Sequence, residues 1–156
     1  MMEYTSKYWN MLTPLIKKSL LKRYGKEETA ELLRKTNQIY RDMLRRAMFF
    51  NGLPEMNVER VTVADTYIYA QTGAQINEST DVVLRNVEIV PEEGPALQLN
   101  NVKNLTAESF TCPAGLPTAL TVTGSRNRAV TLRAAEGITA SNSRLSDGSE
   151  AEVTIE

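Results

Sequence analysis

Apolar positions change their spacing near residue 47. Before it they step by threes and fours: Leu15, Ile16, Leu20 and Leu21, then Leu33, Thr36, Ile39 or Tyr40, Met43 and Ala47. That step marks helices with one apolar face. Thr13-Pro14 reads as an N-cap followed by proline at the first helical position. Lys22 and Arg23 suit a helix C-terminus, and Gly25 can adopt the left-handed stop. A second helix then runs from about Lys26 to Arg46. Glu27 and Glu28 sit in its positive first turn, and Arg45 and Arg46 in its negative last turn. The pattern predicts a helical hairpin over residues 1–46, with a further short helix over 3–12 carrying Trp9 and Leu12.

After residue 47 the period is two, nested inside a longer one. The stretches "AMFFNG", "AQIN", "ALQLNN" and "ALTVTG" align so that Phe50, Ile76, Leu99 and Val122 share a phase, at intervals of 26, 23 and 23. Met48, Ala74, Leu97 and Leu120 align two places earlier; Asn51, Asn77, Asn100 and Thr123 align one place later. A second set follows in the same frame: Val61 and Val63, Val82 and Leu84, Leu105 and Ala107, Val130 and Leu132. A third is Ile68, Ile89 and Cys112. Turn residues separate them at Gly52-Leu-Pro54, Gly73, Pro91 to Gly94 and Pro113 to Pro117. Three short strands per cycle, repeated every 20 to 25 residues or so, predict a parallel β-helix. Equivalent residues stack about 4.8 Å apart, so inward positions form apolar columns along the axis. An antiparallel sandwich also uses short strands, but it does not require one residue type at one phase of every cycle. Asn51, Asn77 and Asn100 are candidates for an amide ladder at a coil corner. The expected fold is mainly β: a short right-handed parallel β-helix of about four coils over 47–156, preceded by the hairpin as a candidate cap.

Composition narrows the chemistry. With 42% hydrophobic and 24% charged residues, wholesale disorder is excluded. The net charge of −1 gives no global field to recruit nucleic acid or an anionic membrane. There is no histidine, hence no example of the commonest general base and metal ligand. The single cysteine excludes an internal disulfide and a multi-cysteine zinc site. No secretory signal opens the chain and no run approaches the roughly 20 apolar residues of a membrane span, so a cytoplasmic location is expected. No cofactor and no metal are expected.

From about Phe49 onward the chain resembles the C-terminal coils of the polygalacturonase-like glycoside hydrolases (family 28). The likeness rests on "FFNGLPEMNVERVTV", "TGAQINESTDVVLRNVEI" and "GPALQLNNVKNLT". It implies a right-handed parallel β-helix, a pectic substrate and an inverting carboxylate pair. The motifs that carry that chemistry in the family, Asn-Thr-Asp, Asp-Asp, Gly-His-Gly and Arg-Ile-Lys, have no counterpart here. "ADT" at 64–66 is out of register, and "SRNR" at 125–128 is a poor substitute for the basic motif. Residues 1–46 resemble, over "TPLIKKSLLKRYGKEETAELL", the N-terminal helices of the aminothiazoline-carboxylate hydrolase family. The chain thus reads as two joined fragments, the second without a catalytic middle.

Inverting glycosidases need an acid and a base about 6.5 to 9.5 Å apart. Asp65, Asp81, Glu88 and Glu108 fall at turns or outward positions, and Glu88 and Glu108 do not share a phase, so no catalytic residue is assigned. Cys112 is expected to be an inert inward residue. Tyr67 and Tyr69 flank inward Ile68 and are expected to face outward together, where aromatic rings can stack on sugars. They are the candidate carbohydrate-binding residues. The expected partners are an acidic polysaccharide or further copies of the chain meeting at open coil ends.

Overall fold

Helix α1 spans Pro14–Leu44 and is interrupted at Gly25, whose φ of 72° and ψ of 177° are not helical. Thr29 Oγ1 donates to the Leu20 carbonyl at 3.1 Å. A straight helix would hold residues nine apart about 13 Å from each other. The chain therefore doubles back at the glycine, as the Gly25 stop predicts. Thr29 and Ala30 are buried at this bend, whereas Leu15 is 78% and Leu21 38% exposed. The expected apolar face of the first arm is thus largely turned to solvent.

The computed structural model describes residues 14–156, and their side chains except those of 36, 37 and 39–44. The expected helix over 3–12 and the Thr13 cap lie outside the described residues, as do the side chains of Thr36, Ile39, Tyr40 and Met43. The chain divides into two compact units between Leu44 and Arg45.

The second unit is a parallel β-solenoid of about five turns. Its strands are β1 (Phe49–Asn51), β2 (Val58–Thr111), β3 (Leu120–Thr123), β4 (Arg128–Arg133), β5 (Ser143–Leu145) and β6 (Val153–Ile155). β2 is a ribbon of 54 residues that winds around successive coils without losing its extended conformation except at corners. Every pairing between strands is parallel. Phe50 pairs with Ile76, Leu99 with Val122, and Val122 with Leu145. Leu105 pairs with Val130 and Val130 with Val153; Ala107 pairs with Leu132 and Leu132 with Ile155. The expected columns are present. They extend one coil further than the four expected, because Leu145, Val153 and Ile155 hold the inward phase within an otherwise polar segment.

These columns are the core. Ile76, Val82, Leu84, Ile89, Leu97, Leu105, Leu120, Val122, Val130 and Leu132 are 0% exposed. Burying each such side chain contributes about 1.5 to 3 kcal/mol relative to solvent. The first coil differs: Val61, Val63 and Ile68 are only half-buried.

Corners are made by left-handed residues, one per coil in each of three columns. Arg60, Asp81, Asn104 and Ala129 form one, with φ of 56°, 56°, 52° and 50°. Asp65, Asn86, Ser109 and Ala134 form the second, and Glu78, Asn101, Gly124 and Asp147 the third. Side chains clip neighbouring corners together. Asn104 Nδ2 donates to Asp81 Oδ1 at 2.6 Å, Asn86 Nδ2 to Asp65 Oδ1 at 2.8 Å, and Asn101 Nδ2 to Glu78 Oε1 at 2.7 Å. Of the expected amide ladder, the structure shows the rung from Asn77 Nδ2 to Asn51 Oδ1 at 3.0 Å, whereas Asn100 Nδ2 donates onward to Thr123 Oγ1 at 2.8 Å. Gly124 leaves room for this clipping, since a Cβ there would lie 2.3 Å from Asn101 Oδ1.

Coil length varies at several corners. Leu53 and Met56 bridge to each other in a small excursion that accounts for the first, longer interval. Between the pairs Asn100–Thr123 and Lys103–Arg128 the offset grows from 23 to 25, so two residues are inserted in the turn holding Asn127. That asparagine is turned inward and is 1% exposed. Its Oδ1 accepts from the Val102 N–H at 2.8 Å, and its Nδ2 donates to Ser149 Oγ and to the Thr123 carbonyl.

Candidate functional site

In an extended strand successive side chains point to opposite faces. Ile68 is inward and half-buried, so Tyr67 and Tyr69 both point outward, 65% and 63% exposed. The structure brings the two expected residues together on one strand face, and it surrounds them with acid. The Tyr69 hydroxyl donates to Glu92 Oε1 at 3.0 Å, and Gln71 Nε2 donates to Glu93 Oε1 at 3.2 Å. The Glu92 carboxylate, by accepting this bond and by its charge, raises the Tyr69 phenol above its ordinary value. The Asn86–Asp65 bond fixes an offset of 21 between these coils, which sets exposed Glu88 in the position after Tyr67. Two coils further on the same face carries Glu136, paired with Thr111.

Beside the tyrosine strand lies an open cleft of about 400 Å³. Glu92, Glu93, Gly94 and Pro95 form one wall; Leu116, Pro117 and Thr118 of the following coil form the other. Arg144 Nε donates to Thr118 Oγ1 at 2.9 Å from one coil beyond. The arrangement offers two ring faces, carboxylate acceptors and an apolar flank. Such a surface can stack on a ring and accept hydrogen bonds from hydroxyls.

The other carboxylates are occupied in different work. Asp65 and Asp81 accept the corner bonds described above, while Glu108 pairs across the ladder with Arg133 on a different outward face. Cys112 is 5% exposed, and burial pushes its thiol up to about 11. Little thiolate is available near neutral pH, so the cysteine behaves as the inert inward residue expected. Among the described residues no group of three or more His, Cys, Asp or Glu side chains is placed to hold a metal ion. No helix among them is long and apolar enough to cross a membrane.

Glu92, Glu93 and the 116–118 wall were missed by reasoning from the sequence, which read both segments only as turns. A usable signal was present. The turns at Pro91 to Gly94 and Pro113 to Pro117 recur one coil apart, so they must stand side by side on the solenoid surface. No protein-family model, no curated protein and no solved structure matches this chain.

Proposed function

We propose that this chain is a non-catalytic β-solenoid that binds a saccharide at the Tyr67–Tyr69 face, the binding remnant of a polygalacturonase-like enzyme whose catalytic coils it lacks. The observation that carries the reading is the pair of outward tyrosines, both more than three-fifths exposed, beside a cleft with carboxylate acceptors. The engagement of Asp65 and Asp81 in corner bonds supports the absence of turnover.

The charge around the rings favours a neutral saccharide over the acidic polysaccharide expected from the sequence. Glu88, Glu92 and Glu93 set three carboxylates on the tyrosine face, nearer to the rings along the chain ladder than Arg144 on the far wall of the cleft. Each uronate held about 4 Å from a solvated carboxylate costs about 1 kcal/mol. A sugar ring covering about 50 Å² of one tyrosine contributes about 1 kcal/mol at about 25 cal/mol per Å². Two such contacts contribute about 2 kcal/mol, short of the about 4.1 kcal/mol that a Kd of 1 mM requires, so the expected affinity is weaker than millimolar.

Saturation-transfer NMR against neutral oligosaccharides and oligogalacturonate tests this. Neutral ligands should give transfer that falls about fivefold in affinity on Tyr67→Ala or Tyr69→Ala. Transfer that survives both substitutions, or is absent for every saccharide, contradicts the binding reading. Release of reducing ends above buffer contradicts the non-catalytic one.

A further inference from the structure

We infer that copies of this chain associate head to tail, the coil bearing β5 and β6 of one copy seating on the first coil of the next. Among the described residues, strands β5 and β6 each pair on one side only, with β3 and β4, and at the opposite end β1 pairs on one side only, with β2. A parallel ladder is not self-limiting, because each unpaired edge presents the same N–H and C=O groups that the previous coil used.

The columns match across such a joint. Continued by one step of about 4.8 Å, the register sets Phe50 of the next copy over Leu145, Val61 over Val153, and Val63 over Ile155. All six are at most half-buried, unlike their equivalents in the middle coils. Leu53 and Met56 add exposed apolar surface on the first coil, at 55% and 71%.

Charge selects the polarity. The first coil carries Arg45, Arg46 and Arg60 against Glu55, Glu59 and Asp65 and so balances; the last is acidic, with Asp147, Glu150, Glu152 and Glu156 against Arg144. One pairing is specific. The corner column that begins at Arg60 and passes through Asp81, Asn104 and Ala129 ends at Glu152, whose Oε2 accepts from the Ala129 N–H at 3.2 Å and whose Oε1 lies a loose 3.9 Å from Arg128 Nε. The next residue in that column is Arg60 of a second copy. Its side chain is 80% exposed and, among the described residues, forms an ion pair with Glu59 at a loose 3.8 Å. A joint between two last coils would set Asp147, Glu150, Glu152 and Glu156 against their own copies instead. Because the two contacting surfaces differ, the contact does not close and the assembly grows as a rod.

Sedimentation equilibrium of the 156-residue chain over a concentration series tests this. The weight-average mass should rise past that of a dimer without a plateau. Arg60→Asp should raise the concentration at half-association about tenfold or more. That variant is compatible with the fold, because the same corner one coil on is Asp81 at the same φ of 56°. Glu152→Gln removes the charge but keeps an acceptor for Ala129, and should weaken association too, with an unchanged far-UV spectrum. An equimolar mixture of the two variants retains one native joint and should stop at a dimer. A chain that stays monomeric at every concentration overturns the proposal and favours the helical cap expected over the first coil. Association that is indifferent to Arg60→Asp, or a mixture that gives no dimer, overturns it as well.

Discussion

Asn127→Ala probes a buried side chain that substitutes for backbone in the ladder. The residue is 1% exposed and sits where the coil is two residues longer than its neighbours. Removing Oδ1 strips the Val102 N–H of its 2.8 Å partner while leaving Val102 0% exposed. An orphaned buried donor costs about 1 to 3 kcal/mol. Loss of Nδ2 deprives the Thr123 carbonyl and Ser149 Oγ of a donor, for about 1 kcal/mol more. The Gly124 carbonyl is spared because Ser149 Oγ also donates to it at 3.3 Å. The expected loss is about 3 kcal/mol, a large share of the 5 to 15 kcal/mol typical of a domain. Urea unfolding followed by far-UV circular dichroism reads it directly. Asn127→Asp keeps the acceptor but sets a carboxylate against two carbonyls. Its protonated form is favoured in the folded state, so this variant should gain stability as the pH falls. A loss under about 0.5 kcal/mol for Asn127→Ala, the range of ordinary surface changes, would mean that the amide is not the internal partner of Val102.

Leu99→Ala empties the middle of the first column, between Ile76 and Val122, and should cost about 2 to 5 kcal/mol by chemical denaturation, against little for Tyr67→Ala. Tyr69 should give a spectroscopic titration at 295 nm above that of a free phenol, returning toward it in Glu92→Gln. Because the neutral phenol is the favoured folded form, the stability it contributes is present below about pH 10 and is lost as the pH rises through the raised value.

Much of the solenoid was legible because its inward positions obey a strict rule. Each coil must place an apolar residue at the same phase, so Leu99 and Val122 announce their pairing through spacing alone. The corners obey a looser rule: left-handed backbone is cheap for Asp and Asn, yet Arg60, Ala129 and Ala134 adopt it too, held by the ladders on either side. Asn127 was hidden for another reason. In a sequence it looks like any turn asparagine, and only the offsets on either side reveal that two inserted residues fold it inward. The fifth coil escaped notice because Leu145 and the pair Val153 and Ile155 are its only clear inward signals. Of the candidate site, Tyr67 and Tyr69 were legible from alternation around Ile68. The acid beside them was not, because Glu92 and Glu93 belong to a turn whose direction depends on Gly94, at φ 75°.

The central claim is the parallel register from coil to coil. Scalar couplings through hydrogen bonds, measured by NMR on the labelled chain, test it without any variant. The account predicts couplings from Gln75 N to the Met48 carbonyl, from Leu97 N to the Ala119 carbonyl, and from Ala119 N to the Asn142 carbonyl, bonds of 2.9, 3.0 and 2.8 Å. Couplings that instead link these amides to strands running the opposite way would contradict the solenoid and, with it, the binding face and the stacking of copies.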